Sequence, residues 1–99
     1  MAYKVIITNS FQKATANTSK WIEINWSLRS AQNFDKKIID ILASITLNPK
    51  LGKQSVRKNI RSRMVTKHNR IYYKVSRNTI TILELFETKT NPKNNKYEQ

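Results

Sequence analysis

The spacing of apolar residues in the first half of the chain predicts one strand followed by two helices. Tyr3–Thr8 alternates between apolar and polar residues and is rich in β-branched side chains, which is typical of a strand. Apolar residues then recur mostly at helical spacing and predict a first helix over about Ser10–Trp26. A second helix has Ser27 or Ser30 as its N-cap and ends at Asn48–Pro49, because proline disfavours a helical residue before it. Its continuous apolar stripe comprises Ala31, Phe34, Ile38, Ile41, Leu42 and Ile45.

The apolar period changes to two residues beyond Gly52, which predicts three further strands. They lie around 56–65, at 70–76 and at 79–86, and the last is apolar on both parities, as in a strand that is central or covered on both sides. The short links between them favour antiparallel hairpins. The element order is therefore β-α-α-β-β-β, and we expect an α+β fold in which a helical hairpin packs on one face of a twisted antiparallel sheet. The core would comprise part of the last strand together with Phe34, Ile38, Ile41, Leu42, Ile45, Ile60, Ile71, Tyr73 and Val75.

Length and composition fit one ordinary domain. A chain of 99 residues, 38% of them hydrophobic, can bury a modest core. We expect a single domain over residues 1–88 and a basic C-terminal tail over 89–99. The chain has no cysteine, one histidine and six acidic residues, so we expect no disulfide framework, no metal site and no cofactor. No apolar run approaches the ~20 residues that span a bilayer, and a cytoplasmic protein without membrane contact is the default expectation.

Positive charge is concentrated in the second half of the chain. Nineteen Lys and Arg residues stand against six Asp and Glu residues, which gives a net charge of +13. Residues 1–49 hold six basic and three acidic side chains, whereas residues 50–99 hold thirteen basic and three acidic ones. Clustered positive charge favours binding to a polyanion or an acidic protein. A basic surface that is merely solvated is the alternative.

The predicted strands would gather much of this charge on one face of the sheet. In KHNRIYYKV (67–75), three apolar residues share the parity of the core, and the opposite parity carries two cations and a tyrosine. With the preceding strand, the predicted nucleic-acid-binding surface comprises Arg57, Arg61, Arg63, Arg70, Tyr72 and Lys74. Guanidinium groups pair with phosphate oxygens, and the Tyr72 ring could stack on a base. A solvated sheet face is the alternative for each residue taken singly.

Cleavage of RNA on this surface without a metal ion would need a base, an acid and cations around one phosphate. The cations are abundant, whereas the acid and the base are not evident. His68 belongs to the residue type that most often fills such roles, but it falls in a predicted turn. Glu84 lies in mid-strand, where pairing with a neighbouring cation is the more ordinary role. Tyr97 could donate a proton if the tail folds back.

Two tryptophans lie on the first predicted helix. Trp21 and Trp26 are five residues apart, so their side chains point in different directions. One of them could lie in the core and the other be exposed, as at a protein interface. A packing role for both is the favoured interpretation.

Four short motifs, in this order, resemble the RelE/ParE superfamily of bacterial toxins. They are LNPKLGK (47–53), IRSR (60–63), NRIYYKV (69–75) and ITILELFETKTNP (80–92). With the element order, the resemblance covers nearly the whole chain. It implies the toxin of a type II toxin–antitoxin system, neutralised by a cognate antitoxin that wraps the helices and covers the basic sheet face.

The resemblance implies one of two targets. RelE-like toxins cleave mRNA in the ribosomal A site without a metal ion, whereas ParE-like toxins poison DNA gyrase and lack that catalytic set. Matching motifs assign Arg61 and Arg70 to phosphate contacts of a nuclease, with Lys89 in place of a basic residue after the last strand and Tyr97 in place of a C-terminal tyrosine. Where nucleases often end the last strand in His-Tyr or Arg-Tyr, this chain has LFETK (85–89). Ribosome-dependent mRNA cleavage is narrowly favoured, with gyrase inhibition as the alternative and plain RNA binding as a third hypothesis.

Overall fold

A computed structural model describes residues 3–88 and 95–98 of the chain. Two long helices follow a short strand, and four further strands complete the domain. The elements are β1 (Lys4–Ile7), α1 (Asn9–Asn25), α2 (Leu28–Leu47), β2 (Lys53–Gln54), β3 (Ile60–Thr66), β4 (Asn69–Val75) and β5 (Thr79–Glu87), with a short 3-10 turn at Pro49–Leu51 between α2 and β2. In this part of the chain, no helix is long and apolar enough to cross a bilayer.

The strands form one five-stranded sheet in the order β1-β5-β4-β3-β2. The predicted α+β fold is confirmed, and β5 lies inside the sheet as its apolar pattern indicates. The sheet is mixed rather than wholly antiparallel, because β1 pairs parallel to β5, with Lys4 opposite Thr79 and Ile7 opposite Ile82. A parallel neighbour requires a long connection. Here the helical hairpin leads from β1 to β2 at the opposite edge of the sheet, and β3 and β4 then lead back to β5.

Hydroxyl side chains cap both helices. The Thr8 oxygen accepts from the backbone N–H of Phe11 at 3.1 Å, and the Ser27 oxygen accepts from that of Ser30 at 3.0 Å. Each bond satisfies one of the N–H groups that a helix leaves free at its start. The Thr8 hydroxyl also donates to the carbonyls of Ile82 and Leu83, so the same residue begins α1 and fastens it to β5.

The core lies between the helices and one face of the sheet. Its buried members are Phe11, Phe34, Ile38, Ile45, Val65, Ile71, Tyr73, Ile80 and Ile82, and Ile41, Leu42 and Val75 pack against them. The expectation that Ile60 belongs to this core is wrong. Ile60 pairs with Lys74, and its side chain therefore projects to the other face of the sheet.

Gly52 is required for a close approach to Tyr73. Its backbone lies in the extended region (φ −67°, ψ 155°), so the positive φ that a turn glycine can adopt is not its role. A Cβ at this position would overlap the Tyr73 hydroxyl and lie 2.9 Å from the ring carbon that carries it. The hydroxyl donates to the carbonyl of Pro49 at 2.6 Å. Gly52 therefore lets Tyr73 tie the end of α2 to the middle of the sheet.

Gly52→Ala should lower the free energy of unfolding by about 1–3 kcal/mol, because the added methyl group overpacks a filled site. Urea denaturation monitored by circular dichroism measures the change. Tyr73→Phe removes the overlapping oxygen, so Gly52→Ala should cost less in that background than in the wild-type chain. Equal costs in the two backgrounds would show that the clash with Tyr73 is not the reason for the glycine.

Candidate basic and aromatic site

The register between β3 and β4 divides the predicted basic surface between two faces of the sheet. We call the face that packs against the helices the helix face and the opposite one the outer face. Directly paired residues of antiparallel strands project to the same face. Arg61 pairs with Tyr73 and Arg63 with Ile71, and both partners lie in the core. The prediction that Arg61 and Arg63 share a face with Arg70 is therefore wrong.

The two arginines on the helix face are tied to neighbouring elements. Arg61 donates through Nη1 to the carbonyl of Gly52 at 2.9 Å, and Arg63 donates through Nη1 to the Ser44 hydroxyl on α2 at 3.0 Å. Burial raises the pKa of Tyr73, whereas a hydrogen bond with the Gly52 backbone and the charges of the two arginines act in the opposite direction. Arg61 and Arg63 thus help to fasten α2 and the Gly52 segment to the sheet.

Two further cations of the predicted surface, both on β4, lie on the outer face. Arg70 pairs with Met64 and Lys74 with Ile60. The Arg70 guanidinium donates from Nε and Nη2 to the Ser62 hydroxyl at 3.2 and 3.1 Å. Ser62 is not among the predicted site residues. Its parity places it on the outer face only when the register between β3 and β4 is known.

Arg57 reaches the outer face from a loop and not from a strand. β3 begins at Ile60, and Asn59 precedes it with a φ of 67°, a conformation that asparagine tolerates better than most residues. The chain therefore turns here, and the predicted strand around 56–65 is shorter than expected. The Arg57 guanidinium donates through Nε to the carbonyl of Lys96.

Tyr72 lies on the outer face but is covered by the end of the chain. Its side chain is 2% exposed, because the Tyr97 ring stacks on it with centroids 4.7 Å apart and planes 18° apart. Phe86 meets it edge-on at 6.1 Å, and the Asn95 amide donates to its hydroxyl at 3.1 Å. The surface that we expected to offer an open ring for a base already holds a stacked ring.

Residues Asn95–Glu98, which we call the strap, are fastened to the sheet at several points. Lys96 forms a 3.0 Å ion pair with Glu84, which gives Glu84 the pairing role favoured by its sequence context. The Ser55 hydroxyl donates to the carbonyl of Tyr97, and the backbone N–H of Val56 donates to the Glu98 carboxylate at 3.4 Å. Residues 95–98 thus fold back onto the sheet. This is the condition that the sequence sets for Tyr97 to act as a proton donor.

The environment of Tyr97 holds its proton tightly. Burial, followed by a hydrogen bond with the Glu84 carboxylate, raises the pKa of Tyr97 well above its ordinary value. A phenol with so high a pKa is a poor general acid near neutral pH. Lys89, the remaining predicted catalytic residue, lies outside the described residues.

A groove of about 680 Å³ lies between the end of the helical hairpin and the turn that joins β3 to β4. Trp21 and Trp26 line it with Phe34, and His68 and Glu87 lie on its opposite side. Trp21 is 58% and Trp26 74% exposed, so the favoured prediction that both pack and the alternative that one lies in the core are both wrong. His68 belongs to this groove and is one of the residues of the β3–β4 turn.

Metal-ligating side chains do not cluster in residues 3–88 or 95–98. No three His, Cys, Asp or Glu residues come together there in a way that could hold an ion.

A family model described as "ParE toxin of type II toxin-antitoxin system, parDE" matches residues 5–92, which is most of the chain. No curated protein sequence matches this chain.

Solved structures of bacterial toxins are similar in fold. The chromosomal ParDE TA system from P. aeruginosa gives a TM-score of 0.76 at 11% identity, covering 87% of this chain and 96% of that one. The heterotetrameric YoeB-YefM toxin-antitoxin complex from Staphylococcus aureus gives 0.55 at 20% identity, covering 85% and 94%. The E. coli DinJ-YafQ complex gives 0.54 at 15% identity, covering 86% and 92%. At these identities the likeness shows the fold alone.

The stability of the docked strap should fall as the pH rises above ~10, the ordinary pKa of tyrosine. Because the folded-state pKa of Tyr97 is raised, its contribution is fully present below that pH and is lost as the pH approaches the folded-state value. Tyrosinate absorbance should show a late-titrating component that is smaller in Tyr97→Phe, where Tyr73, whose pKa burial also raises, still contributes to it. An unchanged late component in that variant would contradict the assignment.

Proposed function

The chain belongs to the family of ParE toxins of type II toxin–antitoxin systems, and from this premise we propose that it arrests growth by binding and inhibiting DNA gyrase without cutting RNA. This family assignment agrees with the resemblance to the RelE/ParE superfamily in the sequence. We propose accordingly that the protein acts in the cytoplasm.

The division of the arginines between two faces is the observation that carries the choice of target. Cleavage of RNA without a metal ion needs cations, a base and an acid around a single phosphate. Arg61 and Arg63 lie on the helix face, across the sheet from Arg70. Tyr97 is packed on Tyr72 and has a raised pKa. Among the described residues, the set matched to a nuclease does not converge, which supports a toxin that acts by binding.

Ribosome-dependent mRNA cleavage is the second candidate, and one arrangement favours it. Arg70, Glu84 and Tyr97 all lie at the outer face, where they would supply a cation, a carboxylate and a phenol. They would act on RNA only after the strap moves, because Tyr97 now covers Tyr72 and Lys96 neutralises Glu84. Such a rearrangement would have to open the site and lower the pKa of Tyr97.

We also propose that a cognate antitoxin neutralises this toxin by docking in the tryptophan-lined groove. The S. aureus neighbour was solved as a complex of toxin with antitoxin. Trp21 and Trp26 are large, exposed and rigid, as interface anchors commonly are. The net charge of +13 favours an acidic partner. An acidic segment with apolar anchors is therefore the expected occupant.

The target can be identified by assaying both activities with one purified preparation. Induced expression should arrest growth. The purified chain should inhibit supercoiling by DNA gyrase and leave mRNA intact in a translation extract analysed by primer extension. Codon-positioned cuts that disappear in Arg70→Ala, with supercoiling unaffected, would establish the nuclease instead. Normal growth after induction would contradict both forms of the proposal.

Trp26→Ala should weaken binding of the cognate antitoxin by about 2 kcal/mol or more, the usual cost of truncating an aromatic anchor. Leu47→Ala is the matched control, since Leu47 is 79% exposed at the far end of α2 and does not line the groove. Isothermal titration calorimetry measures both affinities, and thermal melts should show both variants folded. Equal affinities would place the antitoxin elsewhere.

A further inference from the structure

The strap makes contacts with the outer face that a nucleotide would make. The Tyr97 ring lies on Tyr72 at 4.7 Å and nearly parallel to it, as a base lies on an aromatic platform. Two acceptor oxygens of the strap backbone, those of Lys96 and Tyr97, receive hydrogen bonds from Arg57 and Ser55. Guanidinium and hydroxyl groups contact phosphate oxygens in the same way.

The rim of this site is complementary to a polyanion. Lys53 pairs with Ser62 at the β2 edge, and Arg70 holds the Ser62 hydroxyl from the other side. Arg57 contributes a third cation from the loop before β3. Among the described residues of the sheet, the acidic side chain that contacts the strap is Glu84, on the β5 side. The phosphate-binding part of the site would therefore lie towards β2 and β3.

The strap makes few contacts with the surface that it covers. Within Asn95–Glu98, the contacts to the sheet and to the loop at 55–57 comprise one stacked ring, one exposed ion pair and a few hydrogen bonds. An ion pair in which Lys96 is 64% exposed contributes little to stability in water. The strap can therefore be displaced by a ligand that makes the same contacts and carries more negative charge.

We propose that the strap is an intramolecular occupant of a binding site for single-stranded nucleic acid on the outer face of the sheet. Tyr72 is the stacking platform of this site, Arg57 and Ser55 contact the backbone of the ligand, and Tyr97 occupies the position of a base. Binding at this site does not depend on whether gyrase is the toxin target. The strap regulates access of the ligand to the site.

Deletion of residues 95–99 tests the proposal cleanly. The deletion removes Lys96 and Glu98 together, so the net charge of the chain does not change, and non-specific attraction to nucleic acid is preserved. Fluorescence anisotropy at fixed salt, with labelled RNA and DNA single strands of about eight nucleotides, measures the affinity. We expect the shortened chain to bind about tenfold tighter than the intact one, and the ratio of RNA to DNA affinity shows which of the two fits the site.

Point variants distinguish exposure of the Tyr72 ring from a loss of structure. Tyr97→Ala in the full chain should reproduce much of the gain, whereas Tyr97→Phe keeps the ring and should bind within about twofold of the intact chain, since its stacking is retained. Tyr72→Ala in the shortened chain should abolish the gain, because the platform is gone. A gain that persists in Tyr72→Ala, or a folded shortened chain that binds no tighter, would overturn the proposal.

The intact chain provides a test that does not depend on any variant. Saturating single-stranded oligonucleotide should increase hydrogen exchange at the amides of 96–98, since bound ligand displaces the strap. Exchange in α2 serves as the internal reference and should not rise. Unchanged exchange of the strap at saturation, or failure of both oligonucleotides to bind any form of the chain, would show that the strap is a structural closure alone.

Discussion

The pairing of β3 with β4 is the constraint on which the rest of the molecule depends. Because Arg63 lies opposite Ile71 and Met64 opposite Arg70, the arginines of β3 project beneath the helices and the cations of β4 project away from them. A shift of one residue would exchange every side chain of β3 between the faces. Such a shift would take Val65 out of the core and break the hydrogen bond from Arg63 to Ser44 on α2. The packing of α2 against the sheet therefore determines on which face the arginines of β3 lie.

The elements with a dense, regular apolar pattern could be predicted from sequence, and the register could not. Helix α2 was predictable because its stripe recurs without a gap, and β5 because apolar residues on both parities indicate an interior strand. In β3 the apolar residues Ile60 and Met64 lie on one parity and Val65 on the other, so alternation does not decide which face is buried. The irregularity between Met64 and Thr66 adds a second displacement that no local signal reveals. Ile60, Arg61 and Arg63 were misplaced for this reason.

The burial of Tyr72 could not be predicted from the sequence for a different reason. Its parity predicted the outer face correctly, but its cover comes from residues more than twenty positions later in a polar, asparagine-rich segment. Such a segment carries no periodic signal for docking. The contact depends on one aromatic ring, on the Asn95 and Lys96 side chains and on acceptors of the main chain, which every sequence possesses. The position of Arg57 on a loop instead of a strand has a related cause, since the turn at Asn59 is a property of one residue's backbone and interrupts an otherwise plausible strand.

The parallel pairing of β1 with β5 determines when the chain can complete its fold during synthesis. β1 leaves the ribosome first, yet its partner residues are 79–82, near the other end of the sequence. Thr8, which begins α1, is likewise bonded to residues 82 and 83. Contacts between such distant segments form late, because the intervening chain must be ordered first. A translation product that stops before β5 therefore lacks both the partner of its first strand and the anchor of its first helix, so only a nearly complete chain can acquire the toxin fold.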